Sequence, residues 1–113
     1  TGKGVISMRH AAVLAGLGSL GKNTLVINGT YGNMLNYGAM LTHLDLNSDG
    51  MSEELCIKSC RKCLDACPAR ALDGTTANQK LCRPHTYGAN ARGFDIVNCN
   101  KCRVICPMAL GQK

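Results

Sequence analysis

The spacing of apolar residues predicts a short helix near the start of the chain. Residues 6–15 place a small apolar face on the helix, made by Ala11, Ala12, Leu14 and Ala15, and Ser7 stands where an N-terminal cap is expected. The glycines that begin at residue 16 then end the helix.

The stretch GLGSLGKN at residues 16–23 satisfies the GxGxxG pattern of nucleotide-binding loops. That pattern binds phosphate when a strand precedes it and a helix follows. Here a predicted helix precedes it and a predicted strand follows, so we interpret the stretch as a helix-to-strand turn.

Two strands are predicted, one at Thr24 to Asn28 with the sequence TLVIN, and one at Met34 to Leu46, where apolar and polar positions partly alternate. The turn-rich residues 28–33 between them predict a hairpin-like pair. The sequence NSDG at 47–50 marks a boundary, so residues 1–50 are expected to form a partial α+β segment and residues 51–113 a second unit.

Cysteines, rather than apolar periodicity, organise the second unit. One run reads C-IKS-C-RK-C-LDA-CP from Cys56 to Pro68, and another reads C-NK-C-RVI-CP from Cys99 to Pro107. A short helix at residues 100–105 should present the second run, and residues 75–95 are expected to be a polar connector.

Both runs contain C-x2-C-x3-C-P, the spacing of two-cluster bacterial ferredoxins, in which the last cysteine of each run ligates the other cluster. With four thiolates for each 4Fe–4S cluster, crossing over Cys67 and Cys106 and placing Cys56 and Cys82 by proximity uses every cysteine. The predicted ligands are Cys56, Cys60, Cys63 and Cys106 for cluster 1, and Cys67, Cys82, Cys99 and Cys102 for cluster 2.

Two other uses of eight cysteines remain open from the sequence. Two four-thiolate zinc sites would also use all of them, although structural zinc usually pairs two CxxC knuckles across a spacer. Four disulfides would suit a small secreted domain. Free thiolates point instead to a reducing compartment, and we expect the cytoplasm.

The net charge of +6 would suit nucleic acid, but bound clusters change it. Two oxidised clusters of about −2 each would bring the chain to about +2, so the basic surplus is largely local compensation. No apolar run approaches the length of a membrane span. The seven acidic residues form no evident acid/base pair for hydrolysis.

Several stretches together resemble epoxyqueuosine reductases and their relatives, which include reductive dehalogenases. They are RHAAVLAGLGSLGKNTLVIN, YGNMLNYGAMLTHLDL, CRKCLDACPARAL, the lone Cys82, and NCNKCRVICP. The resemblance implies a nitroreductase-like α+β cobalamin domain followed by a ferredoxin-like, mainly helical domain with two clusters. It also implies the ligand sets above, a tRNA substrate, and a corrinoid pocket bordered by Gly21, Lys22 and Asn23.

The chain also departs from that family. No acid precedes Asp45, so the proton-donating aspartate has no counterpart, and Ala39 stands where the family has a glutamate. The first cysteine gap, Ile57 to Ser59, holds three residues rather than two. No catalytic residue is therefore predicted within this chain.

Three functions follow as hypotheses. The preferred one is an electron-transfer module with two 4Fe–4S clusters, which would be an oxidoreductase component working with a redox partner or an associated cobalamin domain. The second is a complete cobalamin-dependent reductase of the epoxyqueuosine type acting on tRNA. The third is a zinc-stabilised RNA-binding module.

Overall fold

The computed structural model describes residues 4–112, which form a small α+β fold. Its elements in chain order are α1 Met8–Leu14, β1 Ser19–Leu20, β2 Val26–Ile27, α2 Lys62–Ala66, α3 Gln79–Thr86, β3 Tyr87–Ala89, β4 Asp95–Val97 and α4 Lys101–Val104. Two separate antiparallel pairs, β1 with β2 and β3 with β4, make up the strands of the described chain. No helix among these residues is long and apolar enough to cross a membrane.

The predicted first helix is confirmed as α1. The Ser7 side chain accepts a hydrogen bond from the His10 backbone N–H, which satisfies one of the free donors at the helix start. At the other end, Gly16 has a φ of 81° and its N–H donates to the Val13 carbonyl. This left-handed residue ends the helix because glycine adopts it without a steric cost.

The first hairpin differs from the one predicted. β2 lies within the predicted strand at 24–28, but its partner is β1, with Ser19 opposite Ile27 and Leu20 opposite Val26. The predicted partner at Met34 to Leu46 forms no strand, so that part of the prediction was wrong. Residues 34–46 are almost all exposed, and no strand pairs with their backbone within the described chain.

The polar connector predicted at 75–95 includes a helix and strands that the sequence did not predict. It contains α3, whose N-terminal Asn78 side chain accepts from the Lys80 N–H, and most of the β3–β4 hairpin. In the hairpin turn the Asn90 side chain accepts from the backbone N–H groups of Arg92 and Phe94. The polar composition of this segment belongs to capped, exposed elements rather than to a loop.

The buried core is small and lies where the first hairpin meets the two cysteine runs. Its apolar members are Ala12, Val26, Ile27, Leu55, Cys63, Ala71 and Ala109. The helix α1 packs on β1 and β2, and the two helices of the cysteine runs, α2 and α4, pack on each other. The core therefore joins both halves of the chain at the cysteines.

Candidate metal centres

The two cysteine runs fold in the same local way. The residue before α2, Arg61, has φ −126° and ψ 12°, and the residue before α4, Asn100, has φ −135° and ψ 23°. Each helix is a single short turn that ends close to a Cys-Pro pair, because proline has no N–H and disfavours helix at the residue before it. The repeated spacing in the sequence thus corresponds to a repeated backbone conformation.

Four thiols meet at a first cavity, which is small. It is lined by Cys56, Cys60 and Cys63 of the first run and by Cys106 of the second. The remaining lining contains no aspartate, glutamate or histidine and consists of Lys22 and Asn23 of the β1–β2 turn, Ile27 of β2, Ile57 of the first run, and Pro107 and Met108.

The other four thiols, Cys67, Cys82, Cys99 and Cys102, line a second and wider cavity. Cys67 belongs to the first run, so it is separated from its own neighbours and lies with the second run. Cys82 reaches this cavity from α3. Each run therefore contributes its last cysteine to the cavity formed mainly by the other run.

Proximity of the thiols affects their acidity within each group. Burial raises the pKa of the Cys63 thiol, and Cys56, Cys106 and Cys60 raise it further, against a backbone N–H from Leu64 that lowers it. Burial likewise raises the pKa of Cys102, followed by the charges of Cys67, Cys82 and Cys99. Thiolates placed together in this way repel one another, which a bound cation would relieve.

Hydrogen bonds reach the sulfur atoms from several directions. The Cys67 Sγ accepts from the Ala71 N–H at 3.4 Å, and the Cys82 Sγ lies 3.2 Å from the Thr86 Oγ1. At Cys106, burial raises the thiol pKa, while the Met108 N–H and, to a smaller extent, the Asn33 side chain lower it. Donors to sulfur stabilise the thiolate form, which is the form that binds metal.

The β1–β2 turn holds both runs in place. The Lys22 Nζ donates to the carbonyl oxygens of Ile57 (3.1 Å), Lys58 (2.5 Å) and Cys60 (2.8 Å) in the first run. The next residue, Asn23, donates from Nδ2 to the Cys102 carbonyl of the second run at 2.9 Å. One turn of the first segment therefore binds the backbone of both cysteine runs.

A strained residue completes this turn. Thr24 is not glycine, yet its φ is 62°, a conformation that costs free energy for a residue with a Cβ. The Arg9 side chain donates to both the Thr24 carbonyl (2.8 Å) and its Oγ1 (2.7 Å), which offsets that cost. Arg9 thereby ties α1 to the turn.

Sequence reasoning singled out Gly21, Lys22 and Asn23 only as the border of a corrinoid pocket. In the structure the Lys22 and Asn23 side chains donate hydrogen bonds to the backbone of the two cysteine runs. The structure does not test the corrinoid prediction, which stays a prediction. The GKNT sequence at residues 21–24 marks these side chains as candidates. The spacing of residues in the sequence does not predict which distant carbonyl groups Lys22 and Asn23 will contact.

The thiol arrangement distinguishes among the uses of cysteine considered above. All eight cysteines lie within the described residues and all are free thiols, which excludes the disulfide framework. Within residues 4–112, no three cysteine, histidine or acidic side chains converge closely enough to hold one metal ion. A tetrahedral zinc site needs sulfurs only about 3.8 Å apart, from a zinc–sulfur bond of about 2.3 Å. A four-iron cluster takes one thiolate on each iron, and the grouping of the eight thiols as four and four matches the number of ligands that two such clusters need.

These features define a cysteine-rich α+β module with two four-thiol cavities. Comparison with known proteins shows that the chain is homologous to part of epoxyqueuosine reductase. It is 32% identical to the Listeria monocytogenes epoxyqueuosine reductase over 120 residues, covering 96% of this chain and 31% of that protein. For the Lactococcus garvieae enzyme the values are 34% identity over 112 residues, 88% and 31%. No family model matches the chain.

Solved structures give the same result. A crystal structure of selenomethionine-labelled epoxyqueuosine reductase superposes with a TM-score of 0.76 at 31% identity, covering 94% of this chain and 31% of that one. A structure of epoxyqueuosine reductase with an epoxyqueuosine-modified tRNA-Tyr stem loop gives 0.74 at 30% identity, with the same coverage. The chain therefore spans about 31% of the length of these relatives.

Proposed function

We propose that this chain is an electron-transfer module that holds two 4Fe–4S clusters within a reductase similar to epoxyqueuosine reductase. The observation behind the proposal is the exchange of the last cysteines, Cys67 and Cys106, between two cavities of four thiols each. That exchange is the ligand pattern of two-cluster ferredoxins. The cluster ligands are the two sets of four named in the sequence analysis.

The clusters would supply one-electron transfer, and the residues of the chain set its conditions. The thiols fix each cluster through four sulfurs, and N–H donors such as that of Ala71 to Cys67 stabilise negative charge on them. The packing of α2 on α4 brings the two cavities side by side, and Asn23 lines both of them. Electrons would pass between neighbouring clusters by this short route.

In this proposal residues 51–113 form a ferredoxin-like cluster-binding unit. Residues 1–50 are the end of a nitroreductase-like cobalamin-binding unit that lies against it. The bonds from the β1–β2 turn to both cysteine runs support a close association of the two units. The location would be the cytoplasm, where thiols stay reduced.

Metal analysis of the chain reconstituted under anaerobic conditions tests this function. About eight irons and eight acid-labile sulfides per chain are expected, with a broad visible absorption that dithionite bleaches. About two zinc ions and no iron would instead support a zinc-stabilised module and reject the proposal. Substituting Cys60 by serine should lower the iron content, and Ser59→Ala in the same loop is the matched control.

A second candidate extends to the whole reductase. The relative solved with a modified tRNA stem loop favours tRNA as the substrate of a longer protein that contains this chain. Such a protein would bind cobalamin, bordered by Gly21, Lys22 and Asn23, and would reduce an epoxide on a tRNA base. Corrinoid binding and turnover of epoxyqueuosine-containing tRNA by the longer protein would support it, whereas failure to bind corrinoid would reject it.

A further inference from the structure

Lys22 makes an unusual set of contacts beside the first cavity. A lysine ammonium has three donors and no acceptor. The structure assigns Lys22 three carbonyl acceptors, all in the loop between Cys56 and Cys60, and 35 to 38 residues away in sequence. The hydrogen-bonding capacity of this one side chain is therefore filled by one cysteine loop.

The same side chain lines the cavity that contains Cys56, Cys60, Cys63 and Cys106. The three acceptors are neutral carbonyl groups, so these bonds hold the ammonium in place without cancelling its charge. Lys58 lies in the same loop, but its side chain is exposed, where water screens a charge. Lys22 is half-buried, and a charge in that position acts more strongly on its surroundings.

We propose that Lys22 is a positioning residue that holds the Cys56–Cys60 loop and raises the reduction potential of the cluster in the first cavity. The inference depends on the proposed function, since it requires a cluster there. Each cluster takes up one electron on reduction and becomes more negative. A fixed positive charge beside the cavity favours the reduced form, which raises the potential.

The second cluster gives an internal reference. Two guanidinium groups, Arg9 and Arg103, line its cavity and donate to the backbone at Thr24 and Asn33, so the fixed positive charge beside the second cavity comes from side chains other than Lys22. Lys22 lines the first cavity, but it is not among the residues of the described chain that line the second cavity. A substitution at Lys22 should therefore change one cluster potential and leave the other nearly unchanged.

The test uses the full chain with both clusters reconstituted, in the variants Lys22→Gln, Lys22→Arg and Lys58→Gln. Glutamine keeps hydrogen-bond donors and removes the charge, arginine keeps the charge, and Lys58→Gln removes a charge from the same loop. Potentials are measured by titration with dithionite and followed by electron paramagnetic resonance. Iron content is measured in every sample.

Lys22→Gln is expected to lower the reduced-to-oxidised ratio of one cluster about tenfold at the wild-type midpoint, which is about 59 mV for one electron. Lys22→Arg should restore most of this shift, and Lys58→Gln should leave both clusters unchanged. If Lys22→Gln loses the iron of one cluster while Lys22→Arg keeps it, the result supports the positioning role, and a shifted potential in Lys22→Arg would then count against the effect on the potential.

Three outcomes would overturn the inference. One is full iron content with an unchanged potential in Lys22→Gln, and another is an equal shift in Lys58→Gln. The third is loss of iron in both Lys22 variants, which would make the residue a purely structural support. A wild-type chain that takes up no iron would reject the proposed function itself, and so is distinguishable from these results.

Discussion

Replacing Asn23 by alanine removes few atoms, but it should destabilise the protein substantially. The Asn23 side chain is 3% exposed and makes two hydrogen bonds, donating to the Cys102 carbonyl at 2.9 Å and accepting from the Leu25 N–H at 3.2 Å. Alanine would leave both backbone groups without this partner. A buried polar group left unpaired costs about 1–3 kcal/mol.

Because Leu25 and Cys102 are only partly buried, water would replace part of the hydrogen bonding that their backbone groups lose. We therefore expect a total of about 3 kcal/mol in the free energy of unfolding, toward the low end of the sum for two groups. For a domain of this size, about 1 kcal/mol corresponds to about 4 °C in the melting temperature. The expected decrease is about 12 °C by the same relation.

The assay is thermal melting of the anaerobic, cluster-loaded protein, followed by circular dichroism and by the visible absorption together. Asn47→Ala is the matched control, since that residue is exposed, and its effect should stay within about 0.5 kcal/mol. A decrease for Asn23→Ala no larger than for Asn47→Ala would refute the reasoning that this side chain joins the first segment to the second cysteine run.

Other predictions concern the ligand exchange, a glycine contact and the clusters as a core. Cys67→Ser should remove about four of eight irons and expose the thiols of the second run to alkylation, whereas alkylation at Cys60 would contradict the exchange. Gly32→Ala should lower the free energy of unfolding by about 2–4 kcal/mol in a melting experiment, because φ is 65° and a Cβ would overlap the Ala109 carbonyl. Gly38→Ala, where a Cβ meets open space, should have little effect. After iron is removed with a chelator, a protease should cleave residues 51–112 earlier than the β1–β2 hairpin. Equal rates of cleavage in both parts would contradict this prediction.

The sequence allowed the first helix and the helix of the second cysteine run to be predicted because their signals are local. The Ser7 cap and the glycine at residue 16 act within one turn of α1, and the structure contains both. The helix expected at 100–105 is observed as α4, Lys101–Val104. Ligand chemistry also uses fixed residue types at short fixed spacings, which is why the two runs were recognisable.

The predicted strand at Met34 to Leu46 failed because alternation reports which side chains could be buried, not whether a partner strand is present. A strand needs paired N–H and C=O groups along its whole length. In the structure these residues expose large apolar side chains, including Met40 at 89% and Leu41 at 99%. The periodic signal was real, but pairing depends on residues elsewhere in space.

β1 and α3 were not predicted because the local sequence signal for each of them is weak. β1 has only two residues and stands between the glycines at 18 and 21, where the sequence favours a turn. Gly18 is nevertheless required there, because a Cβ at this position would overlap the Ile27 carbonyl of β2. α3 contains Pro84 and has no buried residue, so it offers no apolar face to recognise.

The hydrogen bonds of Lys22 and Asn23 matter for the candidate clusters because the helices of the cysteine runs are very short. α2 and α4 have five and four residues, too short to be stable helices by themselves. Their cysteines can stay in position only if metal ligation or tertiary bonds hold the surrounding loops. Lys22 and Asn23 bind the backbone at Cys60 and Cys102 directly, from a hairpin whose Val26 and Ile27 are buried. The buried hairpin therefore holds the backbone of each cysteine run at one ligand residue, and in the proposed function this lowers the ordering cost of binding clusters.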